Sequence, residues 1–207
     1  NPFPRPGFDV AKRHGEEIAA EVKRLLGAAL KPIAAPPACR TKRIELPFDT
    51  LPTRATLEQT IATNKNAAIV HAAKKNLARL DRGEKLPTHL PYLVQTWHFG
   101  GELAMVFLPG EVVVDYALRL KQEFDPRRMW VTAYANDVPC YIPSRRILTE
   151  GGYEGGGAMV YYDRPTRFAP AVEDLIVGAV RELLPKEFLR TEKQADFPPP
   201  LTPHESI

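Results

Sequence analysis

The chain has 207 residues, of which 44% are hydrophobic. This proportion is enough to build a sizeable core, so the sequence is not typical of a disordered chain. The 28 basic and 25 acidic residues leave a net charge of +3, which gives no strong positive field and argues against nucleic acid as a partner. No apolar run approaches the roughly 20 residues that cross a bilayer, so no transmembrane segment is expected.

The two ends of the chain set its expected boundaries. It opens with Asn1 rather than Met, and we interpret it as a processed or truncated product whose amino-terminal part is missing. Residues 186–207 are rich in proline at their end and predict a tail without a core of its own. Residues 1–185 are then expected to form part of one domain. Cys39 and Cys140 are too few for a disulfide framework and leave the compartment open.

Predicted elements in the first half are helices followed by paired strands. Residues 1–7 form an extended lead-in, and apolar residues at helical spacing predict a helix from Asp9 to Leu26. Further along the chain, the pattern predicts a strand at 40–46, helices within 53–82 that are interrupted near 64–66, and strands at 92–99 and 102–108 joined by Gly100 and Gly101.

The second half predicts a parallel unit. Residues 102–135 contain a strand, a helix that Pro126 ends, and a second strand at 129–135. The fold class is therefore α/β, with a mixed sheet, a parallel strand-helix-strand unit at 102–135 and flanking helices. Beyond it, the sequence predicts a long loop at 136–157, a short strand at 158–162 and a helix at 170–184.

This topology predicts where a site would lie. Ligands of open α/β sheets bind beyond the carboxyl ends of the strands, and two segments follow the parallel strands there: Pro109-Gly110-Glu111 and residues 136–141. We therefore expect Glu111 to lie near the second segment. A glutamate at the start of a helix is favoured by the helix dipole, whereas a glutamate at this edge is also a suitable zinc ligand. The pattern alone leaves both interpretations of Glu111 open.

Three segments in this order resemble the neutral (non-lysosomal) ceramidase family. They are LAMVFLPGE at 103–111, NDVPCYIPS at 136–144 and YEGGGA at 153–158. The family has an apolar strand that ends in Pro-Gly-Glu, then an Asn-containing loop that leads to a tyrosine, then a Tyr-Glu segment followed by small residues. The resemblance covers roughly residues 92–162.

The resemblance implies a zinc-dependent hydrolase that cleaves an N-acyl amide, either ceramide or a related small-molecule or lipid amide. Under it, Glu111 and Tyr141 match the family's zinc ligands. Tyr153 matches a catalytic tyrosine that contacts the scissile amide of the substrate. Zinc would polarise the carbonyl or activate a water, and a phenol would donate to the developing oxyanion. The resemblance also implies a secreted, periplasmic or cell-surface protein.

The chain departs from the family pattern in ways that affect both site and substrate. The family's two zinc-binding histidines and its serine precede the matched segments, so we expect the isolated chain to lack amidase activity. Pro143 and Ser144 replace two threonines, and Gly155, Gly156 and Gly157 replace Ala-Ala-Ser. The histidines here are scattered and are interpreted as solvated or structural: His14, His71, His89, His98 and His204. A non-catalytic, ligand-binding member of the same fold is the alternative.

Further interpretations concern the segments around Tyr141. Arg145 and Arg146 are candidates for binding an anionic group of a substrate, and a surface pair of arginines is the alternative. Asp137 is interpreted as a turn residue, with support of a metal ligand as the alternative. The glycines of residues 151–157 are also compatible with a phosphate cradle, but the Gly-Lys-Ser/Thr ending of a P-loop is absent.

Overall fold

The computed structural model of the chain describes residues 7–190. Helices in these residues (α1–α6) lie at Phe8–Leu26, Arg54–Thr63, Ala67–Asp81, Asp115–Glu123, Arg145–Glu150 and Val172–Leu183. Strands in the same part of the chain (β1–β6) lie at Pro37–Pro47, His89–Phe99, Leu103–Phe107, Glu111–Val112, Met129–Thr132 and Tyr141–Ile142. Within residues 7–190 there are also two short 3₁₀ helices, at Gly157–Tyr162 and Lys186–Phe188.

The chain divides into two compact units, residues 1–34 and residues 35–207. The first unit contains α1, which confirms the helix predicted from Asp9 to Leu26. Asp9 lies in its first turn and Lys23 and Arg24 lie in its last turn, where these charges complement the helix dipole. None of the helices within residues 7–190 is long and apolar enough to cross a membrane.

The second unit is built on a mixed sheet. Its four strands among the described residues follow the order β1-β2-β3-β5. The pairs β1–β2 and β2–β3 are antiparallel, whereas β3 and β5 are parallel, with Val106 opposite Val131. The predicted α/β class, the mixed sheet and the parallel unit are therefore confirmed. The interruption of the helices near 64–66 is also confirmed, because Asn66 caps α3 through its side chain.

The core lies between one face of this sheet and the helices α4 and α6. Alternate residues of β2 and β3 are buried in it, which is the period of two expected for a strand. Each such aliphatic side chain stabilises the fold by about 1.5–3 kcal/mol through burial. Fully buried side chains include Leu46, Val94, Val106, Tyr116, Leu120, Phe124, Val172, Ile176 and Val180.

The segment between residues 136 and 162 differs from the sequence prediction. The predicted loop at 136–157 contains β6 and the short helix α5. Ser144 begins α5 by accepting a hydrogen bond from Ile147 N at 3.2 Å. The strand predicted at 158–162 is wrong, because these residues form the 3₁₀ helix Gly157–Tyr162. A run of five apolar residues has too little periodicity to separate a strand from one helical turn.

The end of the described chain packs more closely than its sequence indicates. Phe188, inside the predicted tail 186–207, is completely buried. Its ring lies 4.9 Å from the guanidinium carbon of Arg128 and 6.2 Å from the ring of His98. The core therefore extends to this short helix. The remainder of the predicted tail, including His204, and residues 1–6 of the predicted lead-in lie outside the described residues.

Replacing Phe188 by alanine should lower the free energy of unfolding by about 3–5 kcal/mol, because the change removes a buried ring and leaves a cavity. Urea denaturation of the whole chain measures this loss. Lys186→Ala, at an exposed position of the same short helix, should stay within about 0.5 kcal/mol of the wild type. Equal effects of the two changes would contradict the described packing of Phe188.

Candidate functional site

The site begins with two chain segments that approach closely after the parallel strands β3 and β5. Gly110 has a φ of +83°, and a Cβ atom there would lie 2.6 Å from the carbonyl oxygen of Cys140. Only glycine therefore fits this turn. Gly110 N donates to Asp137 O at 2.8 Å, and Glu111 N donates to Cys140 O at 3.0 Å. These bonds confirm the prediction that Glu111 lies near residues 136–141.

Glu111 and Tyr141 are direct partners in the short parallel pair β4–β6. Hydrogen bonding with the nearby Glu111 carboxylate is the main reason why the pKa of Tyr141 lies well above that of a free tyrosine. Glu111 lies four residues before α4, whose first turn instead contains Asp115. Interpreting Glu111 as a charge at the helix terminus is therefore wrong.

Tyrosine rings surround this pair. The ring centroid of Tyr141 lies 5.3 Å from that of Tyr153 and 6.4 Å from that of Tyr162, with both pairs in edge-on geometry. The Tyr153 centroid lies 6.1 Å from that of Tyr161. Tyr153 and Tyr161 are 49% and 59% exposed, so the rim of the site is open to solvent. The structure thus brings together Glu111, Tyr141 and Tyr153.

Tyr134 is a further member of this cluster that the sequence does not reveal. Hydrogen bonding with the nearby Glu111 carboxylate is the main cause that raises the pKa of Tyr134. The residue has a φ of +55°, which is a strained conformation for a bulky side chain. Tyr134 N donates to Gly110 O at 2.9 Å, which holds the strained residue against the glycine turn. Its left-handed backbone is not encoded by a glycine or asparagine and leaves no pattern in the sequence.

Arg145 and Arg146 point to acidic partners on neighbouring helices. Arg146 contacts both carboxylate oxygens of Asp115, at 3.0 and 2.9 Å. Arg145 pairs through its side chain with Asp174. Partial burial raises the pKa of Asp115, but the hydrogen bonds from Arg146 and from Ser144 outweigh this effect and lower it. In the described structure, both guanidinium groups therefore fasten α5 to its neighbours.

The segment between α5 and the 3₁₀ helix presents Tyr153 on a compact loop. Gly155 is packed so tightly that a Cβ atom would lie 2.3 Å from Gly151 O and 2.6 Å from Ile147 O. This backbone therefore excludes the alanine that the ceramidase pattern has in the corresponding position. The loop ends in a 3₁₀ helix rather than a helix suited to a phosphate, which further disfavours the phosphate-cradle interpretation.

Two buried tyrosines fix the segments on either side of the site. The Tyr92 hydroxyl donates to Pro109 O at 2.8 Å, and the Tyr116 hydroxyl donates to Pro143 O at 3.0 Å. Burial raises the pKa of both hydroxyls well above the usual value, so both remain hydrogen-bond donors. Pro109 is two residues before Glu111 and Pro143 is two residues after Tyr141, and both site residues are thereby held from their flanks.

The described residues fit part of a zinc site. Glu111 and Tyr141 supply two adjacent oxygen atoms, whereas a structural or catalytic zinc takes at least three protein ligands. Within residues 7–190 there is no group of three or more His, Cys, Asp or Glu side chains that could hold a metal. Cys140 is next to Tyr141 in sequence, but its thiol lies in the core, where burial raises its pKa to about 12.

Asp137 agrees with its interpretation as a turn residue. Its carboxylate accepts a hydrogen bond from Val138 N at 2.8 Å, which is the local contact expected of aspartate in a turn.

Comparison of the chain with protein-family models, with curated proteins and with solved structures gave no match in any of the three. The site is therefore interpreted from its own geometry and from the motif resemblance.

Glu111→Gln should lower the apparent pKa of the phenols of Tyr134 and Tyr141. The carboxylate now disfavours the negative phenolate, both through its charge and by accepting the phenolic hydrogen. Absorbance near 295 nm during an alkaline titration measures the change. Glu150→Gln, on α5, removes the same charge elsewhere and should leave the titration unchanged. An unchanged titration in Glu111→Gln would contradict the described contacts.

Gly155→Ala should lower the free energy of unfolding by about 1–3 kcal/mol, because the added methyl group meets backbone oxygen atoms. Gly178, inside α6, has open space around it, and Gly178→Ala should instead stabilise the helix by up to about 1 kcal/mol. Urea denaturation measures the free energy of unfolding of the two variants, which should change in opposite directions. A neutral Gly155→Ala would show that the loop accepts the alanine of the family pattern.

Proposed function

We propose that this chain forms part of a zinc-dependent amide hydrolase of the neutral ceramidase type. In this proposal Glu111 and Tyr141 bind zinc, and Tyr153 donates a hydrogen bond to the substrate. Further zinc ligands and the nucleophile come from polypeptide outside the described residues. The proposal rests on the motif resemblance together with the contact between Glu111 and Tyr141.

The observation that carries the proposal is the charge of Glu111. No ion pair between Glu111 and a basic side chain occurs among residues 7–190; its described partners are phenolic hydroxyls. The arginines that follow Tyr141 are already paired, Arg145 with Asp174 and Arg146 with Asp115. A carboxylate without a basic partner, next to a second oxygen ligand at the carboxyl edge of a parallel unit, is well suited to a metal cation.

Bound zinc would supply a Lewis acid that polarises the amide carbonyl of the substrate. The chain's own residues have separate parts in this proposal. Glu111 and Tyr141 are held rigidly because their backbones pair and their flanks are fixed by buried tyrosines. The rings of Tyr153 and Tyr141 meet in edge-on geometry, and Tyr153 is half exposed. Its hydroxyl is therefore available to donate to the oxygen atom that gains negative charge.

The proposed substrate class is N-acyl amides rather than ceramide alone. The family's threonines after the tyrosine are replaced here by Pro143, whose carbonyl accepts from Tyr116, and Ser144, which caps α5. Both residues have structural roles in this chain. The compact glycine loop likewise changes the surface beside Tyr153. These replacements alter the surroundings of the acyl chain and head group, but they leave Glu111, Tyr141 and Tyr153 in place.

The roles of the three residues predict different effects in a form of the protein that retains zinc. Glu111→Ala and Tyr141→Phe should lower the zinc content, because each removes a ligand. Tyr153→Phe should retain zinc and lower kcat by about 10²–10³-fold, the usual cost of losing one oxyanion donor. Metal analysis and hydrolysis of an N-acyl sphingosine measure the two effects. Tyr161→Phe, at the exposed rim, is the control and should change neither.

Other outcomes would contradict specific parts of the proposal. Loss of zinc in Tyr153→Phe but not in Tyr141→Phe would mean that the two tyrosines have exchanged roles. Robust zinc-dependent turnover by the isolated chain would show that no further ligands are needed. Zinc retention without turnover of any N-acyl amide would favour the non-catalytic, ligand-binding alternative.

A further inference from the structure

Arg43 differs from the other arginines of the described chain. Every other arginine between residues 7 and 190 takes part in a hydrogen bond or an ion pair. Arg43 has no such partner among these residues, although Lys42 beside it pairs with Glu182. A cation without a partner is common at a surface, but Arg43 also lines a pocket.

The pocket lies near the carboxyl end of β3 and has a volume of about 250 Å³. Arg43 and Leu93 are register partners on β1 and β2, and they line the pocket from the side of the sheet. The other walls of the pocket come from the turn after β3 and from the segment after β5. Besides Arg43, the lining side chains that matter for recognition are Pro91, Leu93, Pro109, Asp137 and Pro139. Glu111 and the clustered tyrosines are not part of this lining.

The walls are held by hydrogen bonds within the protein. Tyr92 donates to Pro109 O at 2.8 Å, and Arg164 donates to Pro139 O at 3.1 Å. The Asn136 side chain, which also lines the pocket, donates to the Gln95 side chain at 3.1 Å. These polar groups of the walls therefore already have hydrogen-bond partners within the protein, and ligand binding would require little rearrangement. Arg43 is the basic group whose partner is absent.

The chemistry of the lining defines the ligand. A guanidinium group binds a carboxylate through two parallel hydrogen bonds, and three prolines and a leucine provide apolar walls. Asp137 adds a negative charge, which disfavours a dianion such as phosphate and favours a hydrogen-bond donor opposite it. The volume is below the range of about 300–1,000 Å³ that is common for drug-sized ligands, so it suits a short molecule.

We propose that the pocket at Arg43 binds a small monocarboxylate that carries a short hydrocarbon body and a hydroxyl group. The carboxylate pairs with Arg43, the hydrocarbon contacts the prolines, and the hydroxyl donates to Asp137. This inference does not depend on the proposed zinc site, because it involves neither Glu111 nor Tyr141. The two are nevertheless linked by the backbone, since Asp137 O accepts from Gly110 N.

Ligand-observed NMR with 3-hydroxybutyrate as the probe tests the proposal on the whole chain without zinc. Saturable binding with a Kd in the millimolar range is expected, because the ligand is small and Arg43 is exposed. Arg43→Gln should weaken binding by at least about tenfold, as expected for the loss of a hydrogen bond to a charged group. Lys85→Gln removes one positive charge elsewhere on the exposed surface and should leave the Kd unchanged.

Two comparisons test the finer chemistry. Butyrate should bind more weakly than 3-hydroxybutyrate, and the difference should disappear in Asp137→Ala, which removes the acceptor of the hydroxyl group. Inorganic phosphate should bind more weakly than either acid. The proposal is overturned by an absence of saturable binding up to about 50 mM, which exceeds the expected millimolar Kd several-fold. It is also overturned by an unchanged Kd in Arg43→Gln or by tighter binding of phosphate.

Discussion

Gly110 allows two segments of the chain to approach more closely than any other residue would permit. A side chain at this position would collide with the carbonyl oxygen of Cys140, the same oxygen that accepts a hydrogen bond from Glu111 N. This contact places β4 against β6 and brings Glu111 opposite Tyr141. The rings of Tyr153 and Tyr162 pack in turn on Tyr141. The whole candidate site thus depends on one close approach of backbones.

The surrounding fold supports this contact from the inside and from the outside. Inside, the hydroxyls of Tyr92 and Tyr116 hold the carbonyls of Pro109 and Pro143. Outside, α5 is joined to α4 by the contacts of Arg146 with Asp115 and to α6 by Arg145. The buried hydrogen bonds contribute more, because leaving a buried polar group unpaired costs about 1–3 kcal/mol, whereas an exposed ion pair contributes up to about 1 kcal/mol.

Elements with strong periodicity or clear end signals could be predicted from the sequence. The apolar runs on both sides of a helix that Pro126 ends predicted the parallel unit. Because the carboxyl ends of parallel strands lie at the same edge of a sheet, the unit also predicted that Glu111 lies near residues 136–141. Two-residue strands such as β4 and β6 carry no periodicity, so their pairing could not be predicted. The positive φ of Tyr134 and the partners of Arg145 and Arg146 depend on tertiary contacts. Local pattern contains no information about them.

The two cysteines lie in opposite environments, and this difference provides a means of selective labelling. Cys140 is buried with a pKa of about 12, whereas Cys39 is exposed on β1. Because a thiol reacts as its thiolate and must be reachable, a maleimide dye should attach to Cys39 alone while the fold is intact. Residues four apart on a strand share a face, so the dye would lie on the same side of the sheet as Arg43. The native sequence therefore already offers one position for a fluorescent reporter beside that pocket.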